Sequence, residues 1–175
     1  YRLSSFRVKT KFPASRTLSL LQIFTTSLKQ SAMAGYSGTP LPQKLGIKPG
    51  LTVVTINAPS NYRRLLGKPA SKIKFSDRVS DGSDFVHFFS MHRSELEKRL
   101  PIFRAKIANT GTIWVSWPKK SSGISTDVTE DVIREIALPL GFVDIKVCAV
   151  DEIWSGLKLM IRRENRRLPS PHSSP

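Results

Sequence analysis

Apolar and polar positions along the chain follow two rhythms, which predict strands alternating with helices. Leu51 to Ile56 (LTVVTI) is apolar and β-branched and follows the turn Lys48-Pro49-Gly50, so it reads as a first buried strand. Asn61 to Leu66 reads as a short helix stopped by Gly67. Ser71 to Phe75 is a weaker second strand. Phe85 to Phe89 (FVHFF) is a third, apolar on both faces as a central parallel strand must be. Ser94 and Glu97 have the spacing of a capping box. Leu96, Leu100, Phe103 and Ile107 then form one helical stripe, which Pro101 should kink. Thr112 to Trp117 (TIWVSW) is a fourth strand. Asp127 and Glu130 make a second capping box, opening a helix that buries Val128, Val132, Ile133, Ile136 and Ala137 and ends at Pro139 and Gly141. Val143 to Val150 and Trp154 to Ile161 are joined by so short a link that they must pair antiparallel.

This order predicts an α/β domain: a Rossmann-like, mostly parallel sheet with flanking helices and a C-terminal antiparallel hairpin, in a methyltransferase-like topology. The segment Leu45-Gly46-Ile47-Lys48-Pro49-Gly50 resembles the lead-in to the first strand of those enzymes. Of the 175 residues, 39% are hydrophobic, enough for one core, and the domain is expected over 33–163. No apolar run reaches the roughly 18 residues of a spanning helix.

The formal net charge is +15, but much of it lies outside this domain. Residues 1–32 carry six bases and no acid, and residues 162–175 carry four arginines against Glu164. The middle holds 18 bases and 12 acids with no basic stripe interleaved with aromatics, so nucleic-acid binding is not expected. Residues 1–32 have the composition of an organelle transit peptide. Met33-Ala34-Gly35-Tyr36 reads as a natural start, which favours an upstream translated segment and a cytoplasmic protein. Residues 164–175 read as a disordered tail. The lone Cys148 excludes a disulfide framework and reads as a small buried hydrophobe.

Several longer words resemble a mostly bacterial family catalogued as domain of unknown function 3052. They include Met33-Ala34-Gly35-Tyr36-Ser37-Gly38-Thr39-Pro40-Leu41, Trp114-Val115-Ser116-Trp117-Pro118-Lys119-Lys120 and Val147-Cys148-Ala149-Val150-Asp151-Glu152. Lys44-Leu45-Gly46-Ile47-Lys48-Pro49-Gly50, Thr126-Asp127-Val128-Thr129-Glu130-Asp131-Val132 and Trp154-Ser155-Gly156-Leu157-Lys158 complete the set. The resemblance spans about residues 33–163 and implies a small cytoplasmic protein with no assigned activity.

The most suggestive chemistry lies in loop 117–123. Lys119, Lys120, Ser121, Ser122 and Gly123 leave the carboxyl end of a strand and precede a helix, where amides and the helix dipole favour an anion. Asn57 and His92 are expected across the cleft. A methyltransferase would place a Gly-rich turn after the first strand, yet no glycine stands from 51 to 66 and Pro59 removes an amide donor. Asp77 is near the place of a ribose-binding acid. His87 reads as a satisfied core residue, Asp127 as a helix cap, and Asp151, Glu152 and Lys158 as surface pairs at the hairpin. Trp154 packs on the sheet or lines a partner interface. No catalytic residue and no metal ligand set is assigned. The leading reading is a non-catalytic or weakly catalytic binder of a small anionic or nucleotide-like ligand. The alternatives are an S-adenosylmethionine-dependent methyltransferase-like enzyme with a degenerate cofactor loop, and a protein–protein interaction module.

Overall fold

In the computed structural model, residues 38–166 are described. Their six strands form one mixed sheet in the order β2-β1-β3-β4-β6-β5. The strands are β1 (Thr52–Ile56), β2 (Lys74–Ser76), β3 (Ser83–Phe89), β4 (Ile107–Pro118), β5 (Phe142–Ala149) and β6 (Trp154–Ile161). The pairs β1–β2, β1–β3 and β3–β4 are parallel. Strand β6 runs antiparallel to both β4 and β5, the closing hairpin that the short 151–153 link requires. The helices are α1 (Leu41–Leu45), α2 (Tyr62–Leu66), α3 (Arg93–Lys106) and α4 (Glu130–Ala137), with a 3-10 turn at Lys68–Lys72.

Strand alternation sends one set of side chains to each face. On one face Val54, Ile56, Phe88, Ile113, Val115 and Leu157 meet Leu96, Leu100 and Phe103 of α3 and Ile133 and Ala137 of α4. Of the stripe read from the spacing, Leu96, Leu100 and Phe103 are the buried face of α3, which runs through the exposed Pro101 to Lys106, whereas Ile107 is buried as the first residue of β4. On the other face Val53, Phe85, Phe89 and Trp114 meet Leu45, Tyr62, Leu66 and Ile73 from short helical segments. The Trp114 indole N–H donates to the Leu45 carbonyl at 2.9 Å, pinning α1 to that face.

The structure corrects several local expectations. Ser71 lies in the 3-10 turn, and β2 begins at Lys74. Strand β4 starts at Ile107, directly after α3, where Thr112 was expected. Ser94 does not cap α3: His92 holds the N-cap position and its side chain caps nothing. The carboxylate that meets this helix is Asp127, whose Oδ1 accepts from the Arg93 amide at 2.7 Å. The α4 cap is Thr129, which accepts from the Val132 amide, so Asp127 and Glu130 form no box. Cys148 is half-buried, and its thiol pKa is raised by burial, with Lys146 and Lys44 opposing. Lys158 faces Lys146 across β5–β6 and pairs with no acid among the described residues. The 3-10 turn Arg163–Asn165 lies past the expected boundary at 163, and the Asn165 carbonyl accepts from Arg104. Residues 1–37 and 167–175, with the leader and most of the expected tail, lie outside the described residues. No described helix is long and apolar enough to cross a membrane.

Candidate functional site

The chain leaves β1 for β2 on one side and returns to β3 on the other, so the strand order reverses between β1 and β3. In open α/β sheets ligands bind beyond the carboxyl ends of the strands at such a point. Three local features lie at or near that edge.

Immediately after Ile56 the chain turns through Asn57 at φ 53°. This left-handed conformation is costly for most side chains, and Asn tolerates it better than most. Asn57 Nδ2 reaches Glu95 Oε1 at 3.4 Å, while the other carboxylate oxygen of Glu95 accepts from Ser90 Oγ at 2.7 Å. Glu95, in the first turn of α3, therefore ties the end of β1 to the end of β3. His92 lies exposed beside them. Asp77 directly follows the last residue of β2, exposed and without an ion-pair partner among the described residues.

Beneath this edge lies a closed polar chain. His87, fully buried, makes a 2.7 Å hydrogen bond through Nδ1 to Tyr62 Oη and a 2.8 Å bond through Nε2 to Ser116 Oγ. Burial holds its pKa down to about 3 and raises the Tyr62 phenol above its usual range. His87 also stacks on Phe89, which Trp154 meets edge-on. Satisfied on both nitrogens and sealed from solvent, His87 serves the core, as its place in an apolar strand suggested.

The structure rearranges the basic loop. Lys119 turns toward the hairpin and donates from Nζ to the Asp151 carbonyl at 2.5 Å. Ser122 Oγ donates to the Lys119 carbonyl at 2.7 Å and accepts from the Ile124 amide. Ser121 and Gly123 are exposed on a 3-10 turn. Lys120 lines a cavity of about 530 Å³ beyond β4, walled also by Trp117, Ile124, Thr126, Glu130 and Asp131. The expected anion cradle therefore loses Lys119 to the hairpin and Ser122 to the loop's own bonding, and gains two carboxylates. Thr126 Oγ1 donates to the Met91 carbonyl at 2.8 Å, so the cavity wall is tied to the end of β3. Among the described residues no group of His, Cys, Asp or Glu is placed to hold a metal.

Asn57, Ser90, Glu95 and His92 thus converge at the point of reversal, while loop 119–123 lies to one side. Sequence reasoning missed Glu95 and Ser90. Asn57 was expected at the cleft, but its left-handed conformation was missed, because the turn there was judged by its lack of glycine.

No family model and no curated protein sequence matches the chain. Solved structures do. A Sulfolobus solfataricus protein classed as a type 11 methyltransferase aligns over 73% of this chain and 93% of its own, at 12% identity and a TM-score of 0.51. A magnesium protoporphyrin IX methyltransferase from Synechocystis aligns over 81% of each chain, at 12% identity and 0.49. An S-adenosylmethionine-dependent methyltransferase from Aquifex aeolicus covers 69% of this chain and 87% of its own, at 14% identity and 0.48. The chain has a Rossmann-like α/β fold of the methyltransferase type.

Proposed function

We propose that the chain is a methyltransferase-like protein that binds S-adenosylmethionine or its demethylated product at the carboxyl edge of the sheet, through an altered cofactor turn. The observation that carries this reading is the left-handed Asn57 at the strand-order reversal. A glycine is used in such turns because it reaches positive φ at little cost, and Asn57 adopts that conformation without one. Asp77, exposed directly after β2 and 20 residues beyond Asn57, supports the same reading as an acceptor for ribose hydroxyls. S-adenosylmethionine carries no phosphate, so the amide that Pro59 removes is a smaller loss than it is for a dinucleotide. When bound, that ligand supplies a methyl group activated by a sulfonium centre. Asn57 and Glu95 hold the turn, and Asp77 holds the ribose. Membership in the domain of unknown function 3052 family, carried by the sequence words above, belongs to the same reading.

Calorimetry on the full chain tests it. Both S-adenosylmethionine and its demethylated product should give heat. Asp77→Asn should weaken binding about tenfold, since a hydrogen bond to a charged acceptor contributes about 1–1.5 kcal/mol more than one to a neutral acceptor and 1.4 kcal/mol is tenfold. Silence with both ligands overturns the proposal.

The cavity of about 530 Å³ favours a second reading, a small anionic or nucleotide-like ligand beside Lys120. Glu130 and Asp131 on its wall oppose a dianion. Nucleotide binding that is lost in Lys120→Glu and unchanged in Asp77→Asn would move the site to this cavity.

A further inference from the structure

Folding sorts the charges in a way that a running count along the chain conceals. From Gly38 to Ser76 stand seven Lys or Arg and no Asp or Glu, whereas from Asp77 to Ile161 eleven bases face twelve acids. The first stretch supplies α1, α2 and the 3-10 turn, the segments that cover one face of the sheet. Arg63, Arg64, Lys68 and Lys72 are exposed on them. The same face continues across the sheet, where Trp114 is in register with Lys158, and Lys158 with Lys146. Like charges directly opposed in a ladder repel. Burial and the Lys146 charge both lower the Lys158 pKa, as expected for an ammonium without a counter-charge.

The opposite face is balanced. Arg93 bridges Glu97 and Glu135, and Arg134 bridges Glu130, Asp131 and Asp144. All ion pairs found among the described residues lie on this side, on α3, α4 and β5. By count α3, α4 and Asp144 hold six bases and six acids, although Lys98, Arg99 and Lys106 make no ion pair among the described residues, whereas the other face is basic, without carboxylate partners there for Arg63, Arg64, Lys68 and Lys72.

We infer that the face built by α2, the 3-10 turn Lys68–Lys72 and the Lys146–Lys158 pair is a docking surface for the phosphate backbone of a nucleic acid. Charge complementarity carries the choice of occupant, because several unpaired bases spread over one face match a row of phosphates better than one small anion. Exposed aromatics are sparse there: Phe75 is half-buried and lies under the Arg63 guanidinium, 4.7 Å from it. The surface therefore reads backbone charge and not base sequence. This differs from the expectation drawn from the order of charges along the chain, and it does not depend on the cofactor reading.

Fluorescence anisotropy of the full chain with a labelled 20-base-pair RNA duplex, over a series of salt concentrations, tests the inference. The variant Arg64→Glu, Lys68→Glu, Lys72→Glu, Lys146→Glu is compared with Lys98→Glu, Arg99→Glu, Lys106→Glu, Arg163→Glu elsewhere on the molecule. Thermal melts establish that both are folded, and Arg63 is left in place because it packs on Phe75. Each phosphate contact contributes about 0.9 to the slope of log affinity against log salt, so the first variant should lose about 3 to 4 from that slope and the second much less. Equal losses in both variants overturn the inference and assign binding to overall charge. Absent binding to the duplex overturns it as well. So does binding to vesicles of anionic phospholipid that the first variant loses while RNA binding is unchanged.

Discussion

Removing the polar chain Tyr62–His87–Ser116 as a unit should change how stability depends on pH. In the folded protein His87 is neutral, with a pKa held to about 3 by burial, while an exposed histidine in the unfolded chain titrates near 6.5. Between those values the unfolded chain binds about one more proton than the folded one. Stability therefore rises with pH through this window: it is fully present above 6.5 and is lost as pH falls toward 3. At one pKa unit per 1.36 kcal/mol, the loss between pH 7 and pH 5 is about 2 kcal/mol from this group alone. Carboxylates contribute little above pH 5, so this interval isolates the histidine. The reference is Tyr62→Phe, His87→Leu, Ser116→Ala, which replaces every partner in the chain and leaves no orphaned polar group. Urea unfolding of both proteins at pH 5, 6 and 7 gives the comparison. The wild type should lose about 2 kcal/mol more than the triple variant. Parallel pH profiles would refute the reasoning, because they would mean that His87 titrates alike in both states.

Other expectations follow from single contacts. Asp127→Ala removes the acceptor of the Arg93 amide at the start of α3 and should cost about 1 kcal/mol in urea unfolding, whereas Ser94→Ala should cost little. Gly111→Ala places a Cβ 2.6 Å from Ile107 and 3.0 Å from two backbone oxygens, so it should destabilise by about 1–3 kcal/mol by the same measure. Trp114→Phe leaves the buried Leu45 carbonyl without its donor, and hydrogen exchange should show α1 losing protection before the sheet does. Asn57→Gly keeps positive φ at little cost but loses the bond to Glu95, so its ligand affinity should fall, though less than that of a β-branched substitution. Asn57→Val should lower both melting temperature and affinity, since a β-branched residue at φ 53° is strained.

The central strand β3 was the most legible part of the sheet because it buries nearly every residue, whereas β2 and β5 are largely exposed or half-buried. Phe85 to Phe89 reads apolar on both faces and is buried on both, and the Leu96, Leu100, Phe103 stripe is the packed face of α3. Caps were harder to read, since a short polar side chain near two helix starts serves whichever one the tertiary fold brings closer. Asp127 lies next to α4 in sequence and serves α3, 34 residues away. The basic loop misled for a related reason: Lys119 reads as a free cation until the hairpin delivers the Asp151 carbonyl to it. The turn after β1 was judged by residue type, and an asparagine in a left-handed conformation is indistinguishable in sequence from one in an ordinary turn. Charge segregation between the two faces was hidden too, because the even balance after Asp77 masks the acid-free stretch before it.

The most direct test of the central claim is a titration of the isotopically labelled full chain with the demethylated product of S-adenosylmethionine, followed through backbone amide chemical shifts. Binding at the proposed crevice should move Asn57, Ala58, Ser60 and Asp77 first, with Ser90 and Met91 following and Lys120 to Thr126 little changed. Shifts confined to Lys120 to Thr126, or no shifts at saturating ligand, would contradict it.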